Sequence, residues 1–110
     1  MSQNTSETLT EVERFLEVRF SNSKIENAVL LISAVAHKLF NTVVMPLDAR
    51  DILTAYFYHD ADDASGYAEA EVLLKNGIVL KAFLFMEGKD VRKYSFKAES
   101  IHRGDCYCGE

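Results

Sequence analysis

The segment from Asp60 to Glu71 comes nearest, in residue type and spacing, to a pattern that binds a metal ion. Asp60, Asp62 and Glu71 stand at the first, third and twelfth ligand positions of an EF-hand loop. Ala64 occupies the fifth ligand position, and Ser65 stands where that loop needs glycine. The flanking segments also have the composition of strands rather than helices. We therefore interpret the segment as a solvated acidic turn and predict no metal there.

Glu69 and Glu71 form a second pair of carboxylates. Two residues apart on a strand, they share one face at about 6.6 to 6.8 Å, a spacing compatible with a general acid and a general base. Lys93, which we expect across the sheet, offers a simpler explanation, because cross-strand charge pairing is far commoner than catalysis. We predict a charge pair here rather than an active site.

His102, Cys106 and Cys108 make an H-x3-C-x-C pattern of three soft metal ligands. Structural zinc takes four ligands and usually a wider cysteine spacing, so a fourth ligand such as His59 would have to come from a distant segment. A frayed tail is the simpler interpretation of these residues. We predict no metal site and no cofactor.

His37 lies beside Lys38 near the end of a predicted apolar helix, a position that favours the helix dipole rather than catalysis. The sequence contains no glycine-rich phosphate loop, nucleophile elbow or Ser/Cys–His arrangement at a known spacing. We therefore predict no catalytic residue.

Two helices are predicted in the N-terminal half. Thr8 and Glu11 fit a capping box that opens a helix reaching about residue 20. Ser23 and Glu26 fit a second box, which opens a helix over 25–40. This second helix is apolar almost all round, so we expect it to lie between the sheet and the first helix, or between two protomers.

Four strands are predicted after the helices. Residues 42–46 are extended, and a strand over 52–59 is favoured by its aromatic content, with a short helix capped by Asp48 as the alternative. Asn76-Gly77 predicts a hairpin with a type I′ turn, and residues 87–90 predict the next turn. The predicted fold is α+β, with two N-terminal helices packed on one face of a four-stranded antiparallel meander sheet.

The predicted turns fix a register. A two-residue loop at Asn76-Gly77 sets Leu74 opposite Val79, and a four-residue loop sets Met86 opposite Val91. One face of the sheet, which we assign to the helices, then carries Ala68, Ala70, Val72, Leu74, Val79, Phe83, Phe85, Tyr94, Phe96 and Ala98. The other face mixes charged residues with five large apolar ones, a candidate interface of Leu73, Ile78, Leu80, Leu84 and Met86. A dimer partner or another protein would cover this face, or the first strand and the C-terminal tail would fold across it.

Composition indicates one small domain over residues 1–110, with a disordered segment 1–6 and a flexible tail 104–110. The chain is 48% hydrophobic and 26% charged, values typical of globular proteins. No stretch resembles a secretory signal or a membrane span, so we expect a cytoplasmic protein that does not bind membranes.

The net charge of −5 is unevenly distributed. Residues 1–74 hold five basic and twelve acidic residues, whereas residues 75–103 hold seven basic and three acidic ones. The basic C-terminal hairpin is suited to an acidic partner or to the acidic half of another copy. Strand lysines that keep the sheet soluble are the simpler interpretation, and we favour it. The overall negative charge argues against nucleic-acid binding.

Two functional hypotheses follow. The first is a non-enzymatic protein-interaction domain of accessory, inhibitor or immunity type, acting as a homodimer and binding protein through the mixed sheet face or the basic hairpin. The alternative is a small-molecule binding protein or modest enzyme. Its predicted pocket lies between the second helix and the sheet and is lined by His37, Tyr56, Tyr58, Phe83 and Tyr94.

Overall fold

The computed structural model describes residues 9–44, 47–62 and 64–100, and the predicted segments 1–6 and 104–110 lie outside them. Two α-helices come first, α1 (Glu11–Leu16) and α2 (Lys24–Phe40), and a 3-10 turn (Ala49–Asp51) follows. The strands are β1 (Ile52–Ala61), β2 (Ser65–Leu74), β3 (Ile78–Glu87) and β4 (Asp90–Ser100). They form one antiparallel sheet in the order β1-β2-β3-β4. The predicted α+β fold, helices packed on a four-stranded meander, is confirmed.

Helix α1 begins later than predicted because other residues form its capping box. The Thr10 hydroxyl accepts a hydrogen bond from Glu13 N at 3.2 Å, and Thr10 N donates to Glu13 Oε1 at 3.0 Å. The helix therefore begins at Glu11 and is capped by Thr10 rather than by the predicted Thr8, which lies outside the described residues. The helix also ends early, because Glu17 adopts the left-handed conformation with a φ of 62°.

Helix α2 has the predicted limits. The Ser23 hydroxyl caps it by accepting a hydrogen bond from Glu26 N at 3.2 Å, and Asn41 ends it in the left-handed conformation. Its exposed apolar side chains include Ile25 and Leu30. Because α1 contacts β2 and β3 directly, the two helices share one layer. The prediction that α2 lies between α1 and the sheet is wrong.

No helix among the described residues is both long enough and apolar enough to cross a membrane.

Strand β1 confirms the strand predicted over 52–59. The alternative, a helix capped by Asp48, is correct for only one turn. Asp48 Oδ1 accepts a hydrogen bond from Arg50 N at 2.9 Å and starts the 3-10 turn that leads into β1. The extended segment predicted over 42–46 lies partly outside the described residues.

The hairpin at Asn76-Gly77 forms, but its turn differs from the predicted one. A type I′ turn needs positive φ at both central residues, whereas only Gly77, at 89°, has it. Gly77 N donates to Leu74 O at 2.9 Å, which closes a turn around Lys75 and Asn76. Gly77 then adds a third residue to the loop. A type I turn followed by a left-handed glycine is the usual three-residue hairpin loop.

This extra loop residue shifts the register of β2 and β3 by one position. Leu73, rather than Leu74, lies opposite Val79. A one-residue slip moves every side chain of a strand to the other face of the sheet. The assignment of Val79, Phe83 and Phe85 to the helix-covered face is therefore wrong.

The register of β3 and β4 begins as predicted, with Met86 opposite Val91. A bulge then follows, so Phe85 lies opposite Lys93 rather than Arg92. The bulge restores the face of β4, and Phe96 packs on the core as predicted.

The face of the sheet that the helices cover is called here the inner face, and the opposite one the outer face. Small residues on β2 and β3, including Ala68, Ala70 and Ala82, leave room for the helices. A Cβ atom at Gly66 would lie 3.0 Å from Val12 Cγ2, so glycine permits the close approach of α1. The buried core consists of Val12, Leu16, Ala28, Leu31, Ile32, Val35, Ala68, Ala70, Val72, Leu74, Leu80, Ala82, Leu84 and Met86.

Candidate functional site

The outer face has no covering layer among residues 9–44, 47–62 and 64–100, because both described helices pack on the inner face. The register arranges its side chains in four rows that run across the strands from β1 to β4. Each row is named after its β2 residue: Leu73 row, Glu71 row, Glu69 row and Tyr67 row. The rows are Thr54-Leu73-Val79-Glu99, Tyr56-Glu71-Lys81-Lys97, Tyr58-Glu69-Phe83-Ser95 and Asp60-Tyr67-Phe85-Lys93.

Glu69 organises the centre of this face. Its carboxylate accepts a hydrogen bond from the Tyr56 hydroxyl at 2.8 Å and another from the Tyr67 hydroxyl at 2.7 Å. Bonds to an ionised acceptor are short and stronger than those between neutral groups. One glutamate on β2 thus holds tyrosines from two strands.

Tyr67, one of the two held tyrosines, belongs to a row of neighbouring aromatic rings. The ring of Tyr67 lies 6.3 Å from that of Tyr58 and 6.2 Å from that of Phe83, measured between centroids. Tyr56 and Tyr58 remain exposed, at 47% and 45% of their surface. Aromatic pairs at such separations add to stability beyond their buried area. The outer face therefore presents large, ordered rings to solvent.

The electrostatics of the face keep its phenols protonated. The hydrogen bond to Glu69 raises the pKa of Tyr67 to about 12 and also raises the pKa of Tyr56. The charge of Asp60 raises the pKa of Tyr58. A phenol with a raised pKa is a poor base and a poor nucleophile at neutral pH. The hydroxyls of Tyr56 and Tyr67 are therefore hydrogen-bond donors on this face.

Positive charge gathers on the β4 side of the face. Lys81 and Lys97 lie directly opposite each other on β3 and β4, a like-charge pair that destabilises an isolated sheet. Lys81 Nζ lies 3.7 Å from Glu99 Oε1, an exposed ion pair that offsets part of this repulsion. A shallow groove of about 300 Å³ runs beside the lysines. Its walls are Tyr56, Glu69, Ala70, Glu71, Lys81, Ala82, Phe83, Ser95 and Lys97.

The five residues of the predicted interface do not share this face. Leu73 lies on it, whereas Leu80, Leu84 and Met86 are buried in the core beneath the helices. Ile78 packs against the same core. The register slip explains this outcome, because it exchanged the two faces of β3. The outer face is nevertheless partly apolar through other residues: Leu73, Val79, Phe83 and Phe85 with three tyrosines.

The five residues of the predicted pocket do not converge either. Tyr56, Tyr58 and Phe83 lie on the outer face, away from α2. Tyr94 lies on the helix side, where its ring contacts that of Phe40 at 5.5 Å. His37 is exposed in a separate hollow near the end of α2. The five residues therefore do not line one cavity between α2 and the sheet.

The carboxylates singled out in the sequence have structural partners. Glu71 lies opposite Lys81 in the register, but the carboxylate within ion-pair distance of Lys81 Nζ is that of Glu99, at 3.7 Å. Lys93, the predicted partner, lies opposite Phe85 in a different row. The acidic turn is built by Asp62, whose Oδ1 accepts hydrogen bonds from the backbone of Ala64 and Ser65, both at 2.8 Å. These bonds, the one from Ser65 first, lower the pKa of Asp62.

Within the described residues, no cluster of three or more His, Cys, Asp or Glu side chains has metal-binding geometry. His102, Cys106 and Cys108 lie outside that part of the chain.

A buried polar cluster under α1 was not anticipated. Glu13, only 8% exposed, accepts hydrogen bonds from Thr10 N and Thr10 Oγ1 and a third from Phe20 N at 2.9 Å. His59 Nε2 lies 3.2 Å from Thr10 Oγ1, and burial lowers the pKa of this histidine. These hydrogen bonds tie the Glu13 side chain to Thr10, before α1, and to Phe20, after it. The cluster therefore stabilises the fold. A capping pattern at Thr10 and Glu13 was the available sequence signal.

Comparison of the chain with family models, with curated proteins and with solved structures finds no match.

Proposed function

We propose that the protein is a non-enzymatic interaction domain that binds a protein partner through the outer face of its sheet. The observation that carries the proposal is the bonding of Tyr56 and Tyr67 to Glu69, which fixes exposed rings before any partner arrives. Tyrosine supplies a large contact area at a low cost in side-chain entropy, and preorganisation lowers the cost of binding. An accessory, inhibitor or immunity-type role fits this mode of action.

The composition of the face also favours a protein partner. Aromatic residues are enriched at protein interfaces, where they occupy the centre of the contact. Here the rings of Tyr58, Tyr67 and Phe83 form the centre, and Asp60 and Lys93 lie at opposite ends of the outermost row. The Glu69 carboxylate among these rings is satisfied by the hydroxyls of Tyr56 and Tyr67, so the centre combines aromatic surface with completed hydrogen bonds, as specific contacts do.

Photo-crosslinking in the source cells tests the proposal. A photoreactive phenylalanine analogue replaces Tyr58 in one chain and His37, exposed on α2, in a matched control chain. We expect a discrete protein adduct from position 58 and none from position 37. The crosslinked protein, once purified, must bind the purified chain and lose affinity for the Phe83→Ser variant. Equal adducts from both positions, or a partner indifferent to Phe83→Ser, contradict the proposal.

A second candidate function, the binding of a small acidic ligand, is favoured by the groove beside Lys81 and Lys97. An anion between the two ammonium groups would relieve their repulsion. A thermal-shift screen of dicarboxylates and phosphate esters tests it, since a ligand at a hundred times its Kd stabilises the fold by about 2.7 kcal/mol. A genuine ligand of the groove loses its effect in Lys97→Ala and keeps it in Lys89→Ala, which lies in the β3–β4 turn. Stabilisation that survives Lys97→Ala contradicts this candidate.

A further inference from the structure

We infer that the partner of the outer face is a second copy of this chain, packed face to face about a two-fold axis parallel to the strands. The inference rests on the proposed function and names its partner. Closed two-fold dimers are the commonest oligomers, and they require a surface that is complementary to itself. The outer face meets that requirement in two ways: in how its charges are divided between the strands, and in which residues of each row would face each other.

Charge is divided across the outer face. Three of the four acids in its rows, Asp60, Glu69 and Glu71, lie on β1 and β2, and the three lysines in its rows, Lys81, Lys93 and Lys97, lie on β3 and β4. The fourth acid, Glu99, lies on β4, where it forms an ion pair with Lys81 of the same copy. Rotation about an axis parallel to the strands places β1 of one copy over β4 of the other, and β2 over β3. Acidic strands then face basic strands. An axis across the strands would instead place β2 over β2, so that Glu69 would face Glu71 of the second copy and two carboxylates would meet.

A two-fold rotation involves no translation along its axis. Each row of one copy therefore lies over the same row of the second copy, with the order of its residues from β1 to β4 reversed. In the Glu71 row, Glu71 then faces Lys81 of the second copy, and Lys81 faces the second Glu71. Tyr56 faces Lys97 of the second copy, where its ring and hydroxyl are both available to the ammonium group. The like-charge pair of Lys81 and Lys97 thereby gains an opposing carboxylate.

The other rows are self-complementary in the same way. In the Tyr67 row, Asp60 faces Lys93 of the second copy, and Tyr67 faces Phe85. In the Leu73 row, the two apolar residues face each other as Leu73 against Val79. In the Glu69 row, Phe83 covers the carboxylate that the tyrosines hold, and Tyr58 faces Ser95; these pairs carry no like charges.

The area of the face is sufficient for a dimer. Four strands about 4.8 Å apart and four rows about 6.8 Å apart give a flat area of about 500 Å² on each copy. Both copies together bury about 1,000 Å², which is the lower limit for a specific interface. Facing sheets pack about 10 Å apart with their strands within about 30° of each other, so side chains of facing rows meet.

Charge exchange between copies tests the inference by sedimentation velocity over a dilution series. The wild-type chain is expected to be a dimer that dissociates on dilution and in high salt. Glu71→Lys and Lys81→Glu are each expected to weaken self-association at least tenfold, and their mixture is expected to form a heterodimer of wild-type affinity. Glu71 and Lys81 also neighbour each other within one copy, but only contact between copies restores association on mixing.

Glu26→Lys and Lys24→Glu are the matched controls, because they change the net charge equally on exposed positions of α2. Both are expected to dimerise as the wild type does. Circular dichroism confirms that each variant is folded. Loss of dimer in the controls would indicate an effect of net charge and contradict the inference.

The direction of the axis is tested by a thiol crosslinker with a reach of about 10 Å, the spacing of packed sheets. In a chain with Cys106→Ser and Cys108→Ser, Asp60→Cys is expected to crosslink to Lys93→Cys in a mixture, and neither is expected to crosslink to itself. A wild-type chain that stays monomeric at every concentration overturns the inference. If Tyr58 then crosslinks a foreign protein, the proposed function stands; if it crosslinks nothing, both fail.

Discussion

The inner and outer faces of the sheet are built on the same four strands but differ in the size and burial of their side chains. On β3, Leu84 is completely buried under the helices, while its neighbour Phe85 is only half-buried on the opposite side. The larger ring lies outside because the helices need small and medium residues beneath them, such as Ala70 and Ala82. Available volume, rather than hydrophobicity alone, decides which side of this strand enters the core.

The largest expected effect is a difference in stability between substitutions at Leu84 and at Phe85. Leu84→Ala should lower the free energy of unfolding by about 2 to 5 kcal/mol, because it leaves a cavity in the core. Phe85→Ala should cost about 1 kcal/mol, since a half-buried side chain loses less area and leaves no enclosed cavity. Urea denaturation at a protein concentration low enough to populate the monomer gives both values. The opposite order would show that the faces of β3 are exchanged and would restore the register predicted from the sequence.

The buried polar cluster should be the next most sensitive region. Glu13→Ala removes the acceptor of three hydrogen bonds at the ends of α1 and should cost about 1 to 3 kcal/mol. Glu17→Ala is the control: it removes an ion pair with Lys38 in which the glutamate is 77% exposed, and it should cost less than about 1 kcal/mol. If the two substitutions lowered the free energy of unfolding equally in the same denaturation measurement, the hydrogen bonds of Glu13 would not be what stabilises α1.

His59, in the polar cluster beside α1, should make the free energy of unfolding depend on pH. Burial lowers its pKa, against the opposing charges of Glu13 and Asp60, so the unfolded chain takes up a proton before the folded chain does. The stability it contributes is present above the unfolded pKa of about 6.5 and is lost as pH falls through the folded pKa. His59→Gln should therefore flatten the loss of stability between about pH 7.5 and about pH 5.5. A loss of stability as steep in His59→Gln as in the wild type, with both chains folded by circular dichroism, would contradict the assignment.

The smallest effect on stability is expected on the outer face, where it is best followed by absorbance. The bond to Glu69 raises the pKa of Tyr67 to about 12, so this phenol should ionise after an ordinary tyrosine in an alkaline titration. Its stabilising contribution is present below pH of about 10 and is lost as pH rises through the folded pKa. Glu69→Gln should move the late ionisation down, and Glu71→Gln should not. Identical curves for wild type and Glu69→Gln, with the fold intact by circular dichroism, would remove Glu69 as the organiser of the face.

The elements of the fold were predictable because they depend on local signals. Ser23 and Glu26 marked the start of α2, and the Asn76-Gly77 pair marked a hairpin. The faces of β3 were not predictable in the same way, since one loop residue more or less reverses them. The alanines at 68, 70 and 82 were the signal that was missed: together they mark the face on which a helix can pack closely.

The location of the candidate site depends on which face of β3 is covered by the helices. Tyr56 and Phe83 were named as pocket residues in the sequence and do lie close to one groove, but on the outer face instead of under α2. From the sequence, Glu69 is predicted only as one of a pair of carboxylates, whereas its carboxylate accepts hydrogen bonds from Tyr56 and Tyr67. Side-chain hydrogen bonds between strands, such as those from Tyr56 and Tyr67, follow from the register and cannot be derived before it is known.

Thiol labelling at the two neighbouring positions tests the contrast between the faces most directly. In the chain with Cys106→Ser and Cys108→Ser, Leu84→Cys and Phe85→Cys are each exposed to a thiol reagent at several protein concentrations. We predict that position 84 reacts slowly at every concentration, whereas position 85 reacts fast in dilute protein and slows as the outer face becomes covered by another copy. Slow labelling of position 85 at every dilution, or fast labelling of position 84, would contradict the account of an open outer face and a closed inner one.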